Sequence, residues 1–145
     1  MIRRFIPVAL VSMGAFAADL PGTASVYDAG LYSQVPLGDV TEVNAIKRVF
    51  GEHVYEMNLD STKSMTGHLI GATGAVEALA CIMALKEGII PPTINHDPED
   101  VDEEIDYRIN FTFDKAQKRD VHYALSNTFG FGGHNACLIF KKWEE

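Results

Sequence analysis

The sequence has 145 residues, a length that suits one domain and leaves little room for a second. Hydrophobic residues make up 47% and charged residues 22%, which excludes a wholly disordered, collagenous or coiled-coil chain. With 12 basic and 20 acidic residues the net charge is −8, which argues against a nucleic-acid binder because such proteins present a basic face. The two cysteines, Cys81 and Cys137, are too few for a disulfide scaffold and indicate small buried apolar residues of a reducing compartment.

The first twenty residues have the outline of a secretory signal peptide. Two arginines precede an apolar run over residues 5–18, and residues 15–17 (Ala-Phe-Ala) have the small-x-small pattern of a cleavage site. A membrane-spanning helix needs about 20 apolar residues, so the run is too short to indicate one. Two interpretations stay open. Residues 1–18 are a signal segment that is removed, or they contain a buried strand or helix that begins after two arginines.

A connector and a helix follow this segment. Residues 21–38 are rich in Gly, Pro and Ser, which predicts a loop. Asp39 is a good N-cap, and Glu42 lies three residues later, the spacing of a capping box. Apolar residues then recur at helical spacing up to Gly51, so the sequence predicts a helix over residues 39–50.

The middle of the chain predicts a strand and a buried helix. Residues 54–62 alternate partly between apolar and polar side chains, as a strand does. Three glycines within residues 64–74 are spaced to share one helix face, which predicts a close backbone approach by another element. Residues 75–86 are almost continuously apolar and Gly88 follows, so the prediction is a buried helix over residues 67–86.

The last third of the chain predicts a loop and a hairpin. Seven acids in residues 97–106 indicate a solvated loop, with a divalent metal site as the alternative, although the glycine pattern of a calcium loop is absent. The elements predicted after it are a short strand over residues 107–113, a polar turn over 114–120, and two strands over 121–128 and 135–142 joined by a Gly-rich turn at 129–133.

Two segments carry residue types suited to catalysis. Lys63 and His68 lie at a predicted strand-to-helix junction, where side chains project into a cleft. His68 suits a general base or a neutral donor to a developing oxyanion, and Lys63 suits a charge that holds a carboxylate network. The glycines of the 129–133 turn leave N–H groups available to the same anion. The alternative is a purely structural role for each. The histidine spacing assigns no metal and the glycine spacing no dinucleotide cofactor.

Longer motifs resemble a known family. Three of them resemble, in order, the C-terminal part of the β-ketoacyl-acyl-carrier-protein synthases, in particular the elongating type II enzymes: STKSMTGH, GATGAVEALACIMALKEGIIPPTIN and SNTFGFGGHN. The stretch just upstream is similar as well: PLGDVTEVNAIKRVFGEH. The resemblance covers residues 36–145 and implies an α/β fold, the C-terminal half of a thiolase-like fold with a mixed sheet and a buried helix, here incomplete. Residues 1–35 resemble nothing in the family and form an unmatched leader or a replaced segment.

The resemblance also implies an activity and residue roles. Family members catalyse decarboxylative Claisen condensation of an acyl thioester with malonyl-acyl-carrier protein in fatty acid biosynthesis, using a Cys-His-His triad and a supporting lysine. His68 matches the second histidine, which polarises the malonyl thioester carbonyl, and Lys63 matches the lysine. The acids of the supporting network match Glu77, Asp39 and Glu42. The oxyanion and gatekeeper loop matches Phe129, Gly130, Phe131, Gly132 and Gly133, with Phe131 as the gatekeeper.

The departures from the family concern the catalytic centre. The position of the first catalytic histidine falls on Leu31, and the threonines that contact pantetheine fall on Ser33 and Val35. Neither cysteine matches the nucleophile. The expectation is therefore a truncated or frame-shifted gene product of marginal stability, or one that associates. Residues 5–10 are a candidate strand to replace one that the family has and this chain lacks.

Three functions stay open on the sequence. The chain is a ketosynthase fragment that is inactive alone, a non-catalytic module that binds a carrier protein or partner subunit, or a small secreted protein. Acyl carrier protein is the partner that the resemblance implies, although a charge of −8 steers an acidic carrier poorly. No nucleic acid, membrane, metal or cofactor is expected, and the oligomeric state is open. A cytoplasmic location competes with the signal-like segment.

Overall fold

The computed structural model describes residues 8–12, 36–130 and 134–143 as an α/β arrangement. The helices are α1 (Pro36–Phe50), α2 (Lys63–Thr66) and α3 (Thr73–Glu87). The strands are β1 (Val8–Ser12), β2 (Asn58–Leu59), β3 (Ile89–Ile90), β4 (Gln117–Lys118), β5 (Tyr123–Gly130) and β6 (His134–Lys141). None of the described helices combines the length and the apolar character needed to cross a membrane.

Four strands form one mixed sheet in the order β2-β1-β5-β6. β1 runs parallel to both of its neighbours, so that Ala9 lies beside Asn58 on one side and Ala124 on the other. β6 pairs with β5 in antiparallel register along its length. The predicted mixed sheet is confirmed. Residues 8–10 of the predicted replacement strand lie in β1, which continues to Ser12, and residues 5–7 lie outside the described residues.

The sheet lies between two helices. Successive residues of a strand point to opposite faces, so each face of the sheet offers its own row of side chains to one helix. On one face of β5, Leu125 belongs to an apolar cluster with Val43 of α1. On the other face, Ala124 belongs to a second cluster with Cys81 and Leu85 of α3. The chain therefore forms three layers, with α1 and α3 covering opposite faces of the sheet.

The predicted helix over residues 39–50 is confirmed as α1. It begins three residues earlier, at Pro36, because proline is tolerated in the first turn, where its missing N–H has no helical partner. It ends at Phe50, since Gly51 adopts a φ of +56°.

Two predicted strands are largely wrong. A 3₁₀ helix, Gly51–Glu56, covers the start of the 54–62 segment, and only Asn58 and Leu59 join the sheet. Val54, Met57 and Leu59 are buried at a mixed spacing, which resembles strand alternation in the sequence alone. Residues 107–113 contain only isolated bridges to other segments, and the predicted turn over 114–120 contains β4, which pairs with β3.

The predicted helix over residues 67–86 begins late, at Thr73. Gly67 has a φ of +70° and ends α2, and a 3₁₀ turn, Ile70–Ala72, separates it from α3. Gly67, Gly71 and Gly74 therefore do not share one helix face. A Cβ added at any of the three has nothing within 4 Å, so the predicted close backbone approach is wrong for the described part of the chain.

Helix α3 is buried on one side only. Cys81 and Leu85 are covered by the sheet, whereas the exposed fractions of Leu79, Ile82 and Met83 are 61%, 46% and 49%. A continuously apolar helix favours burial all round. Here half of that apolar surface faces away from the described layers.

Gly88 ends α3 where no other residue fits. Its φ is +64°, and an added Cβ would lie 2.9 Å from the backbone carbonyl oxygen of Arg119. We expect Gly88→Ala to lower the free energy of unfolding by about 2 kcal/mol, measured by chemical denaturation. Gly71→Ala is the matched control, since a Cβ there meets nothing within 4 Å. Equal losses in the two variants would contradict the expectation.

Candidate functional site

The centre of the candidate site is an ion pair between Lys63 Nζ and Glu77 Oε1. Lys63 opens α2 just behind β2, and Glu77 lies on the face of α3 that packs on the sheet. The other oxygen, Glu77 Oε2, accepts a hydrogen bond from Ser126 Oγ of β5 at 3.0 Å. The side chain of Glu77 is 2% exposed. A carboxylate this deeply buried needs such partners, because an unpaired buried charge is expensive.

Glu42 is a buried acid on α1 near the ion pair. It is 3% exposed, and neither of its carboxylate oxygens hydrogen-bonds within the described residues. Burial raises the pKa of Glu42 to about 7, an effect that the Asn127 side chain and the Lys63 ammonium oppose. Asp39 lies one turn earlier, half-buried, and burial together with the charge of Asp102 raises its pKa. Of the two predicted network acids on α1, Glu42 lies near enough to Lys63 for the ammonium charge to lower its pKa.

Asp60 is a further buried acid that the sequence analysis missed. It follows β2 directly, is 1% exposed, and neither of its oxygens hydrogen-bonds within the described residues. Burial, with a contribution from Glu77, raises the pKa of Asp60 well above its usual value. Its sequence signal is an acid placed directly after the apolar strand residue Leu59 and before the Ser-Thr-Lys motif. Because β2 is buried, the residue that directly follows its last position is buried as well.

His68 lies beyond α2 with its imidazole oriented by its own loop. Nδ1 accepts a hydrogen bond from the backbone N–H of Ile70 at 2.9 Å, and Thr73 Oγ1 lies 3.5 Å from the same nitrogen. A nitrogen that accepts a hydrogen bond carries no proton, so this geometry favours the tautomer with the proton on Nε2. The residue is exposed. This arrangement provides a neutral imidazole N–H that can donate to an oxygen of a bound molecule.

Several predicted site residues lie outside the described residues. They are Phe131, Gly132 and Gly133 of the predicted oxyanion loop, and Leu31, Ser33 and Val35 of the departing segment. Phe129 and Gly130 are the last residues of β5, so the predicted turn begins later than residue 129.

The two cysteines differ in their surroundings. Cys81 is buried in α3, and burial raises the pKa of its thiol to about 12. Cys137 is exposed on β6, so the prediction that both cysteines are buried is wrong for this one. By alternation Cys137 lies on the same face of β6 as Ile139, which is 66% exposed, so this face of β6 is not covered within the described residues.

The acid-rich segment 97–106 is a loop, as predicted. Asp106, at its end, accepts hydrogen bonds from Lys47 Nζ at 2.7 Å and from the Tyr55 hydroxyl at 2.8 Å, which ties the loop to α1. In the parts of the chain that the structure describes, no three His, Cys, Asp or Glu side chains are grouped to hold a metal ion.

The buried acids predict how stability changes with pH. The pKa of Glu42 rises from 4.5 to about 7 on folding, so the folded chain binds this proton more tightly than the unfolded chain does. We expect the free energy of unfolding to fall as the pH rises from 4.5 to about 7, by about 3 kcal/mol for this carboxyl. Denaturant titrations at several pH values measure the slope.

Glu42→Gln should flatten this slope, because the amide keeps the shape and does not titrate. Glu56→Gln is the control, since its side chain is 49% exposed. A slope that survives Glu42→Gln unchanged would place the responsible group elsewhere.

Comparison with known proteins identifies the matched part of the chain. Residues 33–97 match the family model described as the C-terminal domain of beta-ketoacyl synthase. The 3-oxoacyl-[acyl-carrier-protein] synthase 2 of Staphylococcus aureus is 46% identical over 112 residues, which are 77% of this chain and 26% of that protein. The enzyme of the same name from Synechocystis shows the same identity over the same length. The chain thus spans about a quarter of the length of these curated relatives.

Solved ketosynthases share the backbone arrangement. A beta-ketoacyl synthase from Burkholderia phymatum superposes with a TM-score of 0.65 and 37% identity, covering 74% of this chain and 25% of that chain. A ketosynthase solved in complex with a type II polyketide synthase acyl-carrier protein gives a TM-score of 0.66 with 28% identity, covering 73% of this chain and 25% of that chain.

The sheet and its two helix layers thus form a fragment of the thiolase-like ketosynthase fold. Residues 33–97 thus match the C-terminal domain of beta-ketoacyl synthase, and the 3-oxoacyl-[acyl-carrier-protein] synthases 2 are among the relatives to which the chain is similar.

Proposed function

We propose that this chain carries the malonyl-activating part of a 3-oxoacyl-acyl-carrier-protein synthase, an acyltransferase of fatty acid biosynthesis. The observation that carries the proposal is the ion pair of Lys63 with the buried Glu77. Lys63 lies five residues before His68, whose imidazole is oriented by the Ile70 N–H. The 46% identity to curated synthases over this region supports it. The domain boundaries belong to the same proposal: a replaced segment over residues 1–35, and the synthase C-terminal domain over 36–145.

The proposed chemistry is decarboxylation of a malonyl thioester. The bond between the malonyl carboxylate carbon and Cα breaks, carbon dioxide leaves, and the electron pair moves onto the thioester oxygen as an enolate. His68 Nε2–H donates to that oxygen, since Nδ1 is engaged by Ile70. The Lys63 ammonium, fixed by Glu77, adds positive potential near the developing charge. The Phe131 backbone N–H is assigned by resemblance to the oxyanion of the acyl thioester.

Alone, the chain is proposed not to catalyse condensation. Condensation needs an acyl group on a nucleophilic cysteine, and the two cysteines of this chain do not suit that role. Cys81 is buried and its thiol pKa is raised to about 12, which leaves little thiolate. Cys137 is exposed on β6, the strand at the opposite end of the sheet from β2. Leu31, at the position of the first histidine, can neither donate nor accept a proton.

The purified chain tests this proposal with malonyl-acyl-carrier protein. We expect slow release of carbon dioxide with formation of acetyl-carrier protein, as water protonates the enolate, and no 3-oxoacyl product when an acyl-carrier protein is added. His68→Ala should lower the decarboxylation rate by about 100-fold or more, to the level of the uncatalysed reaction. His96→Ala is the control histidine, since it stacks on Phe113 at a distance of 3.7 Å between ring centroids and has no part in the proposal. Condensed product from the wild-type chain would overturn the claim of inactivity, and equal rates for the two variants would overturn the role of His68.

The proposed partner is acyl carrier protein, and the proposed location is the cytoplasm. A solved relative is described as a ketosynthase in complex with its acyl-carrier protein, which supports the partner. The alternative is a module that binds the carrier without chemistry. Titration with malonyl-carrier protein at low salt separates the two, because binding without release of carbon dioxide would favour the alternative.

A further inference from the structure

Helix α2 carries Lys63 but has little in its own structure to keep it in place. It is a single turn of four residues, and none of the four is buried. Helices shorter than about 12 residues are marginal on their own in water, because the first turn fixes several dihedral angles in return for one hydrogen bond. The position of the Lys63 ammonium beside Glu77 therefore depends on the contacts of α2 with other parts of the chain.

The loop over residues 93–95, which follows β3, makes such contacts. The Ser61 N–H, just before α2, donates to Thr93 Oγ1 at 2.8 Å. The Ile94 N–H donates to Ser64 Oγ at 3.0 Å, and that hydroxyl donates in turn to the Ser61 carbonyl oxygen at 2.8 Å. These bonds are partly buried. Two hydroxyl groups, one on the loop and one on α2, therefore join the two segments.

The loop 93–95 is itself fixed by the segment that precedes β4. The Thr93 N–H donates to the Thr112 carbonyl at 3.1 Å, and the Asp114 N–H donates to the Thr93 carbonyl at 2.8 Å. Thr112 is 1% exposed, so one of these anchors lies in the core. Asn95 has a φ of +64°, a conformation that asparagine adopts more readily than most residues, and its side-chain amide donates to a backbone carbonyl of α2 at 3.4 Å. The loop thus connects α2 to the core.

We propose that Ser64 and Thr93 are positioning residues of the candidate site. Their hydroxyls fix α2 against the loop 93–95 and so hold the Lys63 ammonium on the Glu77 carboxylate. Each acts through Lys63, and neither is assigned a contact with substrate. The expected effect on the reaction rate rests on the proposed function, whereas the effect on α2 does not and is measured separately.

Amide hydrogen exchange of the full chain, followed by NMR, tests the contacts between the loop and α2. The N–H groups of Met65 and Gly67 donate within this one turn and report on its opening. We expect Ser64→Ala to speed their exchange by about 10-fold, because a hydroxyl that donates one hydrogen bond and accepts another is lost. Tyr55→Phe is the matched control, since it removes a hydroxyl with the same two roles at the end of α1. Unchanged exchange in Ser64→Ala would overturn the proposal.

Decarboxylation of malonyl-acyl-carrier protein tests the consequence for catalysis. We expect Thr93→Val to lower kcat by about 10-fold or more with KM nearly unchanged, because a displaced Lys63 stabilises the transition state less while substrate contacts stay the same. Thr93→Ser keeps the acceptor oxygen and should recover most of the rate.

Two results would overturn the positioning role: faster exchange in α2 with an unchanged kcat, or a Thr93→Ser variant as slow as Thr93→Val. Ser64→Ala should show the same loss of kcat, so the test does not depend on the folding of one variant, which circular dichroism checks. If the wild-type chain releases no carbon dioxide, the proposed function fails, and the exchange result alone decides for or against the contacts that fix α2.

Discussion

Replacing Lys63 by methionine should lower the free energy of unfolding by about 3–5 kcal/mol near neutral pH. The methionine keeps most of the apolar stem but removes the ammonium, and the Glu77 carboxylate, whose side chain is 2% exposed, then lacks its counter-charge. Ser126 still donates one hydrogen bond to Glu77, which is too little to balance a buried charge. Denaturant titration of the two proteins side by side measures the loss.

A double variant separates the ion pair from simple packing. Glu77→Gln added to Lys63→Met should restore most of the lost stability, because a buried amide is far less costly than a buried carboxylate. Lys86→Met is the surface control, with a side chain that is 72% exposed and a distant pairing to Glu87 at 3.7 Å. If Lys63→Met lowered the free energy of unfolding no more than Lys86→Met does, the ion pair with Glu77 would not be needed to balance a buried charge.

A chain that begins at residue 13 should lose its cooperative unfolding transition altogether. Such a truncation removes β1, and with it the only described strand between β2 and β5. The backbone groups that Ala9 and Leu10 pair on both sides would then be open to water, and the helix layers would face a split sheet. Thermal unfolding followed by circular dichroism measures the loss.

A chain that begins at residue 8 is the matched control, because it retains β1 whole. Full cooperativity in the shorter chain would show that β1 is dispensable. The same experiment bears on the signal-peptide interpretation, since removal of residues 1–18 deletes β1. Because the sheet contains β1, we expect mass spectrometry of the purified protein to find residues 8–12 still present.

Local signals predicted the helices well and the strands less well. Helix α1 and the end of α3 are set by nearby residues, namely a first-turn proline, Gly51 and Gly88, and such residues act in any tertiary context. The hairpin of β5 and β6 was predictable from its apolar strands and its Gly-rich turn. The short β2 was not, because a 3₁₀ turn that buries Val54 and Met57 has nearly the same apolar pattern as a strand.

The candidate site was predictable only in part. The motif around Lys63 and His68 gave both residues, the family resemblance gave the partner Glu77, and the structure brings Lys63 and Glu77 into contact. Asp60 was missed because its burial depends on where β2 ends, and that follows from tertiary packing rather than from neighbouring residues. The roles of all these residues in catalysis remain predictions.

The position of β1 also fixes the order in which the chain can fold. Its partners are β2, from the middle of the sequence, and β5, from near its end. Contacts between residues this far apart in sequence form slowly, because a long loop must close before any pairing energy is gained. During synthesis β1 leaves the ribosome before both of its partner strands, and its pairing with β5 must wait until nearly all of the described chain has emerged. The chain should therefore depend on chaperones that hold extended apolar segments, and refolding from denaturant should be slow and prone to aggregation.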